Sequence, residues 1–437
     1  MKIFWIVLFF VPTVTIAQTE FGVRFEKELG WKQILSKAKQ QNKYIFVDCS
    51  ASWCIPCKKM EKEVFSLENV GHFINGHFIS VHVQMDTSKN DDESIKVWYN
   101  DAHNIKKDYQ IATFPTYLFF SPNGKIVHRY LFAMPDSLFL KVAENALDTN
   151  KQYYTLLNKY LTGQKQYEKL PYLASISKFI GDDSTSKLIA TDYLHNYLNK
   201  LSESEFFQKK NIDFVSNFSD LLTSKDSAFS LIYKNAVKTD RLIERKDFSE
   251  NLVFAVVTKE EIDPRLWPDK TPVSILPDWN QLEETIQKKY NKEVADLVLV
   301  NAQMKWYAKK KDKLQLIKYT VKKIDKYGLD TAGVGWAVFN NLAYDLFFKY
   351  CNNRDTLNKV IHWMEIVNQN HSDDQANMDT YANLLYKVGR KKEAIQWEEK
   401  ATELEERAAQ KENRGADKSF RETLDKMKNG IPTWVAK

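Results

Sequence analysis

The chain has 437 residues, of which 43% are hydrophobic and 27% charged, with only 13 glycines and 11 prolines. This composition excludes a disordered or fibrous chain and is typical of a globular protein. The length exceeds what one hydrophobic core usually supports, so we expect two or three domains. The formal net charge is only +6, and the lysine run at 309–311 is typical of a solvated helix face. We therefore predict no nucleic-acid partner.

The first 17 residues have the features of a secretory signal peptide. Lys2 precedes an apolar run at 3–11, and residues 15–17 offer a cleavage site before Gln18. The alternative, an uncleaved membrane anchor, would need a run of about 20 apolar residues. Because no cysteine lies near the cleavage site, a lipid anchor is not expected. We predict a periplasmic or secreted protein that is not a lipoprotein.

The chain contains four cysteines, Cys49, Cys54, Cys57 and Cys351. Exported proteins often carry disulfide frameworks, but so few cysteines do not hold a fold of this size together. The close pair Cys54 and Cys57 is therefore expected to be reactive. Half of a zinc site is the alternative, but the sequence has no second C-x-x-C and no H-x3-H spacing to complete it. We predict no metal and no cofactor, and we interpret Cys49 and Cys351 as core residues.

Helix and strand patterns alternate in the first third of the chain. Helical spacing at 31–38 precedes two apolar runs typical of strands, at 44–49 and 78–85, with a helical stretch between them. Two more β-rich runs, 116–120 and 125–131, flank Asn123-Gly124, which favours a tight turn. A helix is predicted at 137–147. This order predicts an α/β domain over residues 18–149.

Helical periodicity replaces the strand patterns beyond residue 150, so we predict a mostly α-helical region at 150–437. Four prolines at 262–280 predict a subdomain break there. Small residues at intervals (Ala382, Gly389, Ala394 and Ala401) lie among large ones, a pattern that resembles the tetratricopeptide repeat. The resemblance implies helical repeats at about 336–402, with a surface for a protein or peptide ligand.

The chemistry of the Cys-x-x-Cys pair follows from the reactivity of thiols. A cysteine attacks a disulfide only as the thiolate, and an ordinary thiol is mostly protonated at neutral pH. A helix that begins at Cys54 would lower the pKa of this thiol, because unpaired N–H groups and the positive end of the helix dipole favour an anion. Cys57, one turn into the helix, should be more buried and would resolve the mixed disulfide. We predict a redox-active Cys54–Cys57 disulfide with Cys54 as the attacking thiol.

The segment Val47-Asp48-Cys49-Ser50-Ala51-Ser52-Trp53-Cys54-Ile55-Pro56-Cys57-Lys58 resembles the active-site strand and helix start of thioredoxins. This resemblance implies a central mixed sheet flanked by helices. It also implies that Asp48 is a buried acid that accepts the proton of Cys57, and that Trp53 lies beside the attacking thiol. The longer string, through Val70, is similar to thioredoxin-like domains fused to membrane thiol-disulfide interchange reductases and to their soluble exported relatives.

A second motif, Thr113-Phe114-Pro115-Thr116, resembles the cis-proline loop of the same family. A cis X-Pro bond is a minority state, so the proline alone is weak evidence, and its combination with the cysteine motif is specific. The resemblance implies that Pro115 lies opposite the cysteine pair. It also implies that the backbone of Phe114 pairs with an extended substrate segment.

Three departures from the family pattern affect the expected site. About 17 extra residues near 87–101, including Trp98, are interpreted as a surface excursion that either shapes a substrate face or is a decorative loop. His82 stands where thioredoxins have a lysine beside the buried acid, so it either tunes proton handling or is a structural histidine. Phe132 stands where they have a glycine, which would narrow the substrate groove.

The combined prediction is an exported thiol-disulfide oxidoreductase that acts on cysteine-containing protein substrates. Pro56 is the residue that thioredoxins have, which favours a reductase, although Ile55-Pro56 does not fix the direction of electron flow. A reductase needs an electron donor, for which we expect a membrane thiol-disulfide reductase. The alternative is an interaction scaffold whose thioredoxin-like head is only a redox sensor or a structural module.

Overall fold

The computed structural model describes residues 21–434, so the predicted signal peptide at 1–17 lies outside the described residues. The chain divides into two compact units, with the boundary between Leu221 and Leu222. Among the helices at 21–434, none combines the length and the apolar character that a membrane span requires.

A four-stranded mixed sheet forms the centre of the first unit. Its strands are β1 (Tyr44–Ser50), β2 (Phe78–Gln84), β3 (Thr116–Phe120) and β4 (Ile126–Leu131). Their order is β2-β1-β3-β4, with β1 parallel to β2 and antiparallel to β3, and with β3 antiparallel to β4. The predicted strands and the mixed sheet are confirmed.

Helices cover both faces of this sheet. They are α1 (Trp31–Gln41), α2 (Ile55–Met60), α3 (Glu68–His77), α4 (Glu93–Lys96), α5 (Tyr99–Asp108) and α6 (Asp136–Leu147), and a π-helical turn at Glu61–Phe65 continues α2. Apolar residues of α1 and α5 form one core with the sheet, and those of α2, α3 and α6 form the other. Alternation along β1 follows from the strand period of two, which sends Cys49 into the first core and Phe46 into the second.

The segment 87–101 is only partly the surface excursion that the sequence suggested. The short helix α4 has no buried residue, as expected for an excursion. Trp98 is 6% exposed and belongs to the core beneath α1 and α5, so the expectation is wrong for this residue. Burial of a large aromatic ring removes much apolar area from water, which accounts for the difference.

Five further helices complete the first unit. They are α7 (Tyr153–Leu161), α8 (Leu170–Phe179), α9 (Asp183–Asn196), α10 (Glu203–Phe206) and α11 (Lys209–Asn217). The backbone N–H of Tyr153 donates to Nδ1 of His128 on β4 at 3.1 Å. The ring of Phe179 lies 4.5 Å from that of Tyr130, also on β4. Helices α7 and α8 therefore pack on the edge strand of the sheet.

The second unit is helical, which confirms the mostly α-helical C-terminal region. Its helices are α12 (Ser227–Lys234), α13 (Ala236–Ile243), α14 (Phe248–Val257), α15 (Asp263–Leu266), α16 (Trp279–Lys289), α17 (Lys292–Lys309), α18 (Lys313–Tyr327), α19 (Gly335–Leu342), α20 (Arg354–Asn370), α21 (Gln375–Lys387), α22 (Lys391–Lys411) and α23 (Lys418–Lys428). Residues 271–278, in the proline-rich stretch, are not helical. Gly389, with φ 89°, lies in the turn between α21 and α22. The tetratricopeptide-like character of 336–402 stays a prediction.

Candidate active site

Cys54 and Cys57 form a disulfide at the beginning of α2, with Cα atoms 5.3 Å apart. Cys54 is the N-cap residue, and the backbone N–H of Cys57 donates to its Sγ at 3.1 Å. The first N–H groups of a helix have no partner within it, so they favour negative charge at the N-cap. The predicted helix start at Cys54 is confirmed, and this position would stabilise a thiolate once the disulfide is reduced.

Both cysteines are buried, but not in the predicted order. Cys54 is 2% exposed and Cys57 is 6% exposed, so the prediction that Cys57 is the more buried residue is wrong. Ala51 is part of the same cluster, and Phe114 packs against it. These contacts cover Cys54 as well as Cys57 in the disulfide form.

A carboxylate side chain stabilises the turn before the cysteines through two hydrogen bonds. The carboxylate of Asp86, just after β2, accepts from the backbone N–H of Ser52 at 2.8 Å and from its Oγ at 2.5 Å. The backbone N–H of Cys54 in turn donates to the carbonyl of Ala51 at 2.9 Å. Hydrogen bonds to a charged acceptor are stronger than neutral ones. This network fixes where β1 ends and where α2 begins.

The Phe114-Pro115 peptide bond is cis, as the motif predicted. Oγ1 of Thr116 donates to the carbonyl of Thr113 at 2.6 Å, and the backbone N–H of Phe132 donates to the carbonyl of Pro115 at 3.0 Å. Phe114 packs against the cysteine cluster and against the indole of Trp53. The structure thus brings the cis-proline loop, Trp53 and the disulfide together.

Asp48 is buried on β1 and lies next to a histidine. It is 2% exposed, and its Oδ2 is within hydrogen-bond distance of Nδ1 of His82, at 2.9 Å. The other imidazole nitrogen, Nε2, is 2.9 Å from Oγ of Ser50. Burial disfavours a charged imidazole, but the hydrogen bond to Asp48 and the nearby negative charges outweigh it and raise the pKa of His82. Sequence reasoning placed His82 beside Asp48 and missed Ser50, which carries no motif.

The remaining cysteines lie away from this chemistry. Cys49 is fully buried in the core beneath α1 and α5, on the opposite face of β1 from Asp48. Burial raises the pKa of its thiol well above the ordinary value. Cys351, in the second unit, is 3% exposed. Both are the core residues that the sequence predicted.

Phe132 shapes the surface beside the cis-proline loop. Its φ is 71°, a left-handed conformation that glycine adopts freely and phenylalanine rarely does. Its half-exposed ring lies edge-on to that of Phe179, with centroids 5.7 Å apart. A groove of about 990 Å³ runs between the cis-proline loop and α7–α9, with Thr113, Phe132, Phe179 and Asp182 among its lining residues. Sequence reasoning missed Phe179 because nothing local distinguishes it from other helix residues.

Comparisons with known proteins agree with this geometry. A family model described as a thioredoxin-like domain matches residues 31–147. Thioredoxin H2 of Arabidopsis thaliana is 25% identical over 122 residues, which are 28% of this chain and 77% of that protein. The thiol:disulfide interchange protein DsbD of Klebsiella pneumoniae is 32% identical over 93 residues, which are 21% of this chain and 13% of that protein.

Among solved structures, the DsbH oxidoreductase is 23% identical, with a TM-score of 0.26. The match covers 29% of this chain and 85% of that one. The family match ends at residue 147, so it covers the sheet, helices α1–α6 and the cysteine pair. Residues 31–147 are therefore a thioredoxin-like domain of the thiol-disulfide oxidoreductase type, with its Cys-x-x-Cys pair at Cys54 and Cys57.

Proposed function

We propose that this protein exchanges the Cys54–Cys57 disulfide with cysteines of protein substrates. One observation carries the proposal: the two cysteines are joined at a helix N-terminus and face a cis-proline loop. A helix N-terminus supplies the electrostatics that a thiolate needs. The loop next to Pro115 supplies backbone groups for an extended substrate segment.

Reduction of a substrate would proceed in two exchanges. The Cys54 thiolate attacks one sulfur of the substrate disulfide, and the other substrate sulfur leaves as a thiolate. Cys57 then loses its proton to Asp48, attacks Sγ of Cys54 and releases the second substrate sulfur. Two electrons pass to the substrate, and the Cys54–Cys57 disulfide forms. Oxidation of a dithiol substrate is the same sequence in reverse.

Exposed apolar side chains support a protein substrate. Trp53 is 68% exposed and Ile55 is 78% exposed, and they flank Cys54 on either side. Exposed hydrophobic clusters beside a reactive group are typical of protein-binding surfaces. The backbone of Phe114, before Pro115, would hydrogen-bond to the substrate segment while these side chains pack against it.

The helical part of the first unit also borders this surface. The groove beside the cis-proline loop has one wall from Thr113 and Phe132 and another from Phe179 and the start of α9. We propose that it extends the substrate contact beyond the thioredoxin-like domain. We also propose that the rest of the helical region, including the repeats expected at 336–402, binds a protein or peptide partner. Stacked helical repeats form extended surfaces that suit such binding.

Two features favour a reductase, and a third favours a location outside the cytoplasm. Pro56 follows the thioredoxin pattern, and part of the domain is similar to the thiol:disulfide interchange protein DsbD. The signal-like residues 1–17 support a periplasmic or secreted location. A membrane thiol-disulfide reductase is then the electron donor that we propose.

The first test is a redox titration of the whole protein against glutathione, with alkylated thiols counted by mass spectrometry. We expect Cys54 and Cys57 to become reactive together, and a Cys54→Ser variant to lose this paired transition. Cys351→Ser is the matched control and should keep it. A potential near the roughly −270 mV of thioredoxin would support a reductase, and one near about −120 mV an oxidant.

The same titration tests the alternative function, an interaction scaffold whose thioredoxin-like head is only a redox sensor or a structural module. The absence of a reversible two-cysteine couple would overturn the proposed exchange. The protein would then act as an interaction scaffold with a structural thioredoxin-like head. A reversible couple without any exchange with protein disulfides would point to a redox sensor.

A further inference from the structure

We infer that His82 conducts the proton of the resolving step from buried Asp48 to solvent. The inference rests on the proposed function and assigns a role to a residue outside the cysteine and cis-proline motifs. Such a path would speed the proposed exchange, because a proton that leaves Asp48 can no longer return to the Cys57 thiolate before this thiolate attacks Sγ of Cys54.

Asp48 has little access to water of its own. Only 2% of the residue is exposed, and it lies on the face of β1 that α2 covers. Its Oδ2 is hydrogen-bonded to His82, and its Oδ1 has no hydrogen-bond partner among the described residues. Oδ1 is therefore available for the Cys57 proton, and the imidazole is the group through which the proton can leave.

His82 connects Asp48 to the surface. Its side chain is 42% exposed, against 3% for that of Asp48. Nδ1 is 2.9 Å from the carboxylate, and Nε2 is 2.9 Å from the hydroxyl of Ser50. The parallel pairing of β1 with β2 sets this arrangement, because it places His82 directly beside Asp48. An imidazole can accept a proton at one nitrogen and release one from the other.

The charges around His82 favour its protonated form. Asp48 and Ser50 face it from β1, and Glu61 acts on it from the turn after α2. The ring of Phe25 lies edge-on at 6.0 Å. Burial opposes the imidazolium, and the bond to Asp48 with the charges of Asp48 and Glu61 raises the pKa above 6.5 overall. A lysine would stay charged up to about pH 10 and would not accept a proton in this range.

The proposed step balances in charge and electrons. The Cys57 thiol gives its proton to Asp48, and the thiolate attacks Sγ of Cys54 in the mixed disulfide. The bond from Cys54 to the substrate breaks, and the substrate sulfur leaves with the electron pair. Asp48 passes the proton to Nδ1 of a neutral His82 that carries its own proton on Nε2, and that Nε2 proton leaves past Ser50 to water. When His82 is already imidazolium it cannot accept, so resolution should slow at low pH.

The test separates attack from resolution in single turnovers of the reduced protein with a fluorescent disulfide peptide. Rates are measured from about pH 5.5 to 9 for the wild type, His82→Gln and His82→Lys. The same variants in a Cys57→Ser background report the attack of Cys54 alone. His103→Gln, an exposed histidine on α5, is the matched control.

We expect His82→Gln to slow resolution roughly tenfold, less than the roughly 10²- to 10⁴-fold that a general base itself supplies. Attack in the Cys57→Ser background should be unchanged. The fall in resolution at low pH should disappear in both His82 variants and persist in His103→Gln. His82→Lys retains a cation beside Asp48, so its rate of resolution can be measured even where His82→Gln folds poorly.

Two results would overturn the inference. One is that both His82 variants resolve the mixed disulfide at the wild-type rate and with the wild-type pH profile. The other is an equal loss of attack and resolution, which would indicate a structural role. Failure of the proposed function itself looks different, because then even the wild type forms no mixed disulfide with the peptide.

Discussion

The indole of Trp53 lies edge-on to the phenyl ring of Phe114, with centroids 5.8 Å apart and ring planes at 74°. Trp53 directly precedes Cys54, and Phe114 directly precedes cis-Pro115. The contact therefore joins the cysteine motif and the cis-proline loop, the two chain segments that the proposed substrate peptide would contact. Edge-to-face pairs contribute about 0.5–1.5 kcal/mol beyond the area that they bury.

Trp53→Ala should impair exchange with proteins more than exchange with small disulfides. A disulfide-bonded protein substrate would lose its contact with the indole, and Phe114 would lose the ring that orders it. We therefore expect kcat/KM for this substrate to fall by roughly fivefold, or about 1 kcal/mol. Oxidised glutathione should react at a nearly unchanged rate. Leu138→Ala, which removes an exposed side chain on α6, is the control. Equal losses for the two substrates would contradict a docking role.

Two glycines of α3 should respond to alanine in opposite directions. A Cβ on Gly71 would lie 2.2 Å from the carbonyl oxygen of Gly22, whereas one on Gly76 meets no atom within 4 Å. Gly71→Ala must displace the N-terminal segment, whose Val23 N–H donates to the carbonyl of Phe65 at 2.7 Å. We expect a loss of about 1–3 kcal/mol there and a gain of about 0.5–1 kcal/mol for Gly76→Ala.

Hydrogen exchange of the β1 and β2 amides, followed by mass spectrometry in urea, measures both glycine variants in the first unit alone. This readout avoids assuming that the whole chain unfolds in one step. Shifts of the same sign in the two variants would show that helix propensity, and not the contact with Gly22, decides the outcome.

Local patterns made much of the domain predictable. Strand-like apolar runs, the Asn123-Gly124 turn and helical spacing at 31–38 each depend on neighbours in sequence. The spacing of Cys54, Cys57 and Pro115 was readable because a known motif fixes it.

Contacts between distant segments were not predictable in the same way. The pairing of Ser50 with His82 depends on the register of two strands, and that of Phe132 with Phe179 on a helix beyond the family match. Burial of Trp98 likewise depends on where α1 and α5 pack.

Acid should weaken the first unit through His128. This residue is fully buried on β4, and Nε2 has no partner among the described residues. Burial lowers its pKa from 6.5 to about 4. Because the folded pKa is the lower one, its stabilisation is complete above about pH 6.5 and is lost as pH falls towards 4. The full effect is about 3 kcal/mol.

His128→Asn keeps a neutral acceptor for the backbone N–H of Tyr153 and removes the titration. Urea unfolding followed by exchange of the β4 amides, at pH 7 and pH 4.5, should show a smaller loss for this variant than for the wild type. His103→Asn, an exposed histidine, should lose as much stability as the wild type. If His128→Asn lost as much stability at pH 4.5 as the wild type does, other groups would be responsible for the acid sensitivity.

Glu398 should make the second unit less stable at alkaline pH. It is fully buried on α22, and burial, followed by the charge of Asp379 on α21, raises its pKa above 4.5. A carboxyl group whose folded pKa is the higher one stabilises the fold while protonated. This contribution is complete below about pH 4.5 and is lost as pH rises through the folded value.

Glu398→Gln preserves the shape of the protonated acid without the cost of burying a charge. We expect it to stabilise the α21–α22 hairpin by about 1–3 kcal/mol at pH 8 and to change little at pH 4.5. Exchange of the α22 amides in urea at the two pH values measures this difference, and Glu403→Gln, exposed on the same helix, should show none. Asp379→Asn should reproduce part of the gain, because it removes the charge that opposes ionisation of Glu398. Destabilisation by Glu398→Gln at pH 8 would mean instead that an ionised Glu398 contributes to the packing of this hairpin.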